Sequence, residues 1–95
     1  MRLIAIEVID EASRLHPTAK KPLDIWRALV KEARWKTPHD LKAQFGKADI
    51  LGEKQVVFNI KGNNFRLLVK VDYQMGLVII KKFGTHKEYD NWGLG

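Results

Sequence analysis

Val56-Val57-Phe58-Asn59-Ile60-Lys61-Gly62-Asn63-Asn64-Phe65-Arg66-Leu67-Leu68-Val69-Lys70-Val71-Asp72-Tyr73 decides the fold of this chain. Apolar residues recur at every second position, first in Val56, Phe58 and Ile60, then in Phe65, Leu67, Val69, Val71 and Tyr73. Period two marks a strand with one face against a core. Gly62-Asn63-Asn64 separates the two runs, and these residue types tolerate the positive φ of a tight turn. The stretch is therefore predicted to be a β-hairpin. Its alternation also sorts the polar side chains: Asn59 and Lys61 on one strand, and Arg66, Lys70 and Asp72 on the other, face away from the core. The turn brings Asn59, Lys61 and Arg66 together on that second face. Leu68 lies among them, which a purely solvated surface would not require.

Working outward, Gln74-Met75-Gly76 makes a second turn and Leu77 to Phe83 a third strand. That strand is apolar at consecutive positions, which predicts a central place covered on both faces. Its Lys81 and Lys82 point to opposite faces, and periodicity leaves open which joins the polar cluster. Upstream the period becomes helical. Arg2 to Ile6 reads as a short strand. From Glu7 to His16 the apolar Val8, Ile9, Ala12 and Leu15 fall on one helical face, and His16-Pro17 ends that helix. A second helix starts near Pro22, buries Leu23, Trp26, Leu29, Val30 and Ala33, and shows Arg27, Lys31 and Arg34 to water. Thr37 caps a short third helix with Pro38 at its first position, and Gly46 stops it. The order β-α-α-(short α)-β-β-β predicts a single α+β domain over residues 1–95. Its N-terminal strand and helices pack on one side of an antiparallel sheet.

At 95 residues and 45% hydrophobic content the chain can bury one modest core. It has no cysteine, which excludes disulfides and cysteine-based zinc sites and fits a reducing cytoplasm, the expected location. No apolar run approaches the roughly 20 residues that span a bilayer, so no membrane partner is expected. Glu7 comes too early for a signal peptide. Net charge is +6, shared equally by the two halves. Its distribution says more. From Lys54 to Lys87 there are seven Lys or Arg against the single acid Asp72. Such one-sided charge favours a nucleic-acid partner over mere solubility.

Just beyond lies Gly84-Thr85-His86-Lys87-Glu88-Tyr89-Asp90, with a histidine, a tyrosine and two carboxylates in five positions. As a histidine, His86 can serve as acid or base; Tyr89 can donate a proton or stack on a base. His16 and His39 sit at helix ends and read as structural. The three histidines share no metal-ligand spacing, and neither a phosphate loop nor a GxSxG elbow is present. No metal or cofactor is expected. Trp26, Trp35 and Trp92 read as core or interface residues.

Val57-Phe58-Asn59-Ile60-Lys61-Gly62-Asn63-Asn64-Phe65-Arg66-Leu67, followed by Gly84-Thr85-His86-Lys87-Glu88-Tyr89-Asp90, closely resembles the HigB-type toxins of bacterial toxin–antitoxin pairs. His16-Pro17, Trp26, and Trp35 followed by Pro38 and Asp40, agree, so the resemblance covers nearly the whole chain. It implies the RelE-like fold and a messenger-RNA endoribonuclease (mRNA interferase) that acts on the translating ribosome. It also implies a helix-turn-helix antitoxin of the HigA type and a toxin–antitoxin hetero-oligomer. In many members the position before the C-terminal motif is arginine. Here it is Lys81, which neutralises phosphate as a point charge without the planar fork.

For cleavage by the RNA's own 2′-hydroxyl, Arg66 and Lys81 are expected to stabilise phosphate and transition-state charge. His86 and Tyr89 supply acid and base, in either order. Asn59, Lys61, Lys70, Lys82 and Lys87 are expected to bind RNA, and Asp90 to orient His86 or Lys81. Two rival readings are a non-catalytic RNA- or ribosome-binding module, and a degenerate toxin that only binds its antitoxin.

Overall fold

The chain folds as β1 (Arg2–Ile4), α1 (Glu7–Leu15), a 3₁₀ turn (Pro17–Ala19), α2 (Lys20–Glu32), α3 (Pro38–Gln44), β2 (Asp49–Leu51), β3 (Gln55–Ile60), β4 (Phe65–Asp72), β5 (Leu77–Thr85) and α4 (His86–Tyr89). These elements come from a computed structural model that describes residues 1–52 and 54–93. Glu53, Leu94 and Gly95, which the single-domain expectation included, lie outside the described residues. The five strands form one sheet in the order β1-β5-β4-β3-β2. The architecture is α+β, as expected, and compatible with a RelE-like fold.

The hairpin forms as its alternation predicts. β3 and β4 pair antiparallel with Phe58 opposite Leu67 and Asn59 opposite Arg66. The positive φ values fall on Lys61 (53°) and Gly62 (63°), however, and not on Asn63 or Asn64. Phe58 is the centre of the core. Trp26 meets it edge-on at 5.2 Å, Phe45 edge-on at 5.0 Å, and Trp35 stacks at 6.3 Å. Trp26 and Trp35 are thus core residues, as read. Truncating such a buried phenylalanine to alanine costs about 3–5 kcal/mol. At α3 the Thr37 hydroxyl accepts from the Asp40 N–H, Asp40 returns the bond to the Thr37 N–H, and Pro38 opens the helix. The Lys36 N–H, more than any other group, holds the Asp40 carboxyl below its usual range.

Several expectations are corrected. β1 runs parallel to β5, so the sheet is mixed; β1 ends at Ile4 because Ala5 takes a φ of 65°. α2 begins at Lys20, ahead of Pro22. Leu29 is 45% exposed and Leu15 59%, because each helix buries a narrower stripe than its apolar residues span. β2 was not foreseen. The central strand is β4, whose first five residues are all buried, whereas β5 is its neighbour.

β5 also carries a β-bulge. Leu68 pairs with Lys82 and Val69 with Ile80, which leaves Lys81 as an extra residue. Val78, Ile80 and Phe83 belong to or pack on the main core, so the strand changes phase between Ile80 and Phe83. Lys81 and Lys82 therefore both lie off the core and are both exposed. Strict alternation, which put them on opposite faces, fails here.

Val57, Arg66 and Leu68 are buried yet stand outside the main core cluster. The second face of the sheet is therefore partly covered at the hairpin end, where α4 lies. Among the described residues, no helix is long and apolar enough to cross a membrane.

Candidate active site

The C-terminal motif folds back over the hairpin. Thr85 ends β5 and caps α4: its hydroxyl accepts from the Glu88 N–H at 3.1 Å, and the Glu88 carboxylate accepts from the Thr85 N–H at 2.8 Å. That reciprocal box satisfies two helix-end donors. The Thr85 N–H holds the Glu88 carboxyl below its usual range, with the Thr85 hydroxyl and the nearby His16 pulling the same way. The His86 N–H donates to the Asn64 carbonyl at 3.0 Å, which ties the start of α4 to the β3–β4 turn.

The side chains above the sheet form a stack. Arg66 is 8% exposed, and its Nη1 donates to the carbonyls of Asn63 (3.0 Å) and Phe65 (3.2 Å). Its guanidinium carbon lies 5.6 Å from the centre of the Tyr89 ring. Tyr89 meets Trp92 edge-on at 5.5 Å, and the Lys82 ammonium stands 5.3 Å from the Trp92 ring. A cation above an aromatic face is attracted by the ring quadrupole. Gly84, opposite Arg66 in the register, makes room for this stack. A Cβ there would stand 2.8 Å from Trp92 Cζ2 and 3.2 Å from Glu88 Cβ.

Asn59 pairs with Arg66 as expected. Its buried Oδ1 has no hydrogen-bond partner among the described residues, and the residue lines a cavity of about 300 Å³ with Phe45, Lys47 and Gly62. Lys61 is exposed in the turn, and Lys70, Lys81, Lys82, His86, Lys87 and Asp90 are exposed too. His86 and Tyr89, three residues apart in α4, share one side of that helix. Arg66 does leave the core face, but it is buried and not open to solvent, because α4 and its aromatic side chains close over it. Among the described residues, the Asp90 carboxylate makes no hydrogen bond or ion pair with His86 or Lys81.

Three participants escaped the sequence. His16, structural as read, packs on Phe65 at 5.2 Å and Phe83 at 5.7 Å and lies near Glu88, neighbours that the sequence does not show. Only tertiary structure brings these together. Trp92 belongs to the stack on the second face. α4 itself was missed, although Thr85-His86-Lys87-Glu88 carries the capping-box spacing that announces a helix start.

The chain that carries this arrangement has relatives among known proteins. The family model HigB_toxin, described as the RelE-like toxic component of a toxin–antitoxin system, matches residues 19–92. The chain is 32% identical over 92 residues to the mRNA interferase toxin HigB of Escherichia coli K12, covering 95% of this chain and 88% of that protein. An mRNA interferase HigB of Shigella flexneri matches equally, and one of Escherichia coli O6:H1 is 25% identical over 92 residues, 95% of this chain and 89% of that protein. The chain belongs to the HigB toxin family, the RelE-like toxic components of toxin–antitoxin systems.

Proposed function

We propose that the chain is a ribosome-dependent, metal-independent endoribonuclease that cuts messenger RNA during translation and is held in check by a helix-turn-helix antitoxin of the HigA type. The observation that carries this reading is the Arg66–Tyr89 stack, with His86 on the same side of α4 and exposed lysines on the adjoining strand and turn. The names of its relatives, mRNA interferases, support the same activity.

RNA brings its own nucleophile. The 2′-oxygen attacks the adjacent phosphorus, a P–O2′ bond forms and the P–O5′ bond breaks. The 2′-hydroxyl proton passes to a base, and an acid protonates the departing 5′-oxygen. The products are a 2′,3′-cyclic phosphate and a 5′-hydroxyl. His86 and Tyr89 are the acid–base pair. Arg66 and Lys81 stabilise the phosphorane's charge. Lys61, Lys70, Lys82 and Lys87 attract and align the polyanion, and Asn59 orients a phosphate or a side chain. Asp90, the C-terminal cap of α4, keeps no orienting role in this scheme, since among the described residues its carboxylate bonds neither His86 nor Lys81. The ribosome and its codon position the substrate.

Binding without cleavage is the rival, favoured by one observation: Arg66 already donates to two backbone carbonyls. Expression without the antitoxin decides between them. Messenger RNA should be cut in cells and on programmed ribosomes, with naked RNA cut weakly or not at all. Cleavage should persist in EDTA once the ribosome's own magnesium is compensated. Intact messenger RNA under soluble expression would leave the binding module; loss on chelation with intact ribosomes would overturn the metal-free mechanism.

A further inference from the structure

A groove of about 760 Å³ opens between the start of β1, the end of α2 with the stretch to Lys36, and the β4–β5 turn. This is the end of the sheet away from α4. β4 alone separates the two with its eight residues, Phe65–Asp72, roughly 23 Å at 3.3 Å per step. Leu3, Ile6, Tyr73 and Met75 give the groove an apolar lining, and Met75 is 69% exposed. Arg2, Arg27, Lys31, Arg34 and Lys36 also line it, and no carboxylate does. Arg27 is met by Asp10 at 3.4 Å. The other four make no side-chain ion pair among the described residues.

Hydrated apolar surface and unopposed like charges are two separate costs at one place. A nucleic acid would answer the charge but not the aliphatic lining, which offers its bases two rings, Tyr73 and a Trp35 that is only 4% exposed. A peptide that carries apolar side chains between carboxylates answers both. We infer that this groove is the docking site for an acidic, amphipathic segment of the antitoxin, whose apolar side chains seat between Tyr73 and Met75 while its carboxylates meet Arg2, Lys31, Arg34 and Lys36. The inference rests on membership of a toxin–antitoxin family, not on the cleavage chemistry. Helix-in-groove recognition of this kind is a recurrent mode of peptide binding.

The test uses the full chain and three fluorescein-labelled probes: a short peptide with leucines at helical spacing among glutamates, its counterpart with lysines for the glutamates, and an oligouridine. By fluorescence polarisation the acidic peptide should bind saturably. Met75→Asp and the double variant Lys31→Glu with Arg34→Glu should each weaken it at least about tenfold, or ~1.4 kcal/mol, and Lys87→Ala should leave it unchanged. Met75 sits on an exposed turn and the two cations on the surface, so one variant stands in for the other if either misfolds. The same two variants should release the antitoxin, identified as the co-expressed polypeptide that restores growth, from the tagged chain. Equal binding of the lysine counterpart, unchanged binding by both variants, retention of the antitoxin on both, or displacement of the peptide by oligouridine would each overturn the assignment. Polarisation needs no cleavage, so this inference and the ribonuclease reading fail separately.

Discussion

Gly84→Ala tests whether the stack over Arg66 is what makes the site. The new methyl would stand 2.8 Å from Trp92 Cζ2, against an optimal carbon–carbon separation of about 3.5–4.0 Å. The indole must retreat by about 1 Å, because Gly84 lies inside β5 with Arg66 opposite it and the sheet cannot give. Retreat weakens the edge contact of Trp92 with Tyr89 and the contact of Lys82 with Trp92. These are worth about 0.5–1.5 kcal/mol for an aromatic pair and about 0.5–1 kcal/mol for an exposed cation over a ring. Their sum, about 1–2.5 kcal/mol, exceeds the roughly 0.4–1 kcal/mol that replacing glycine by alanine gains from the unfolded chain. The net effect is destabilising, at about 4–8 °C of melting temperature for each kcal/mol in a domain of this size. The effect on cleavage should be larger. A shift of about 1 Å in a positioning group costs on the order of 100-fold in rate. Single-turnover cleavage on programmed ribosomes, thermal melts and tryptophan emission should be measured together, with Gly46→Ala as control, since nothing lies within 4 Å of a Cβ there. A Gly84→Ala protein that cuts at the wild-type rate with unshifted emission would refute the role given to the stack.

Arg66→Ala should lose on the order of a hundredfold or more in cleavage. Arg66→Lys should recover only part of it, because an ammonium lacks the planar guanidinium that stacks on the Tyr89 ring; full recovery in the same assay would make charge alone sufficient. His86 is exposed, so His86→Ala should melt within about 0.5 kcal/mol of wild type yet cleave about 10²–10⁴-fold more slowly; wild-type cleavage would move the chemistry to Tyr89 and the lysines. Lys61 holds a φ of 53°, so Lys61→Gly should relieve roughly 1 kcal/mol of left-handed strain without lowering the melting temperature, while RNA cleavage becomes weaker and more salt-sensitive. The Glu88 carboxyl sits below its ordinary value of 4.5 when folded. The stability it contributes is therefore present above that value and lost as pH falls through the folded pKa. Melts should show wild type ahead of Glu88→Gln at neutral pH by a few tenths of a kcal/mol, given the exposure of the box, and the gap closing in acid; a gap that widens in acid would contradict the sign.

The elements that long periodicity defines were legible. Phe58, Leu67 and Val69 announced the hairpin, and Leu23, Trp26 and Val30 announced α2, because each run is long enough for a period to repeat. β2 has three residues, Asp49–Leu51, too few for any period. β5 was misplaced as central because consecutive apolar residues around a bulge imitate a strand buried on both sides. Of the candidate site, the segments that carry Arg66, His86 and Tyr89 were legible, one from its alternation and the other from its residue types. The burial of Arg66 was not, since it depends on α4 folding back across the sheet. Nor were the neighbours of His16, the Phe65 and Phe83 rings, which lie far along the chain from the end of α1.

The bulge at Lys81 alters the linear charge density of the strand. In a regular strand, residues on one face recur about every 6.7 Å, so a cationic edge can present one ammonium in that length. Here one step of β4, from Leu68 to Val69, faces two lysines. The extra cation displaces no apolar side chain, because Ile80 and Phe83 keep their places against the core. Deletion and substitution at this point therefore differ in kind. Lys81→Ala would remove a charge and keep the kink. Deleting Lys81 would remove the charge and the kink together, while every residue from Lys82 onward kept its face. A pair of such variants separates what the polyanion gains from a second ammonium from what it gains from the bend that aims the strand at α4.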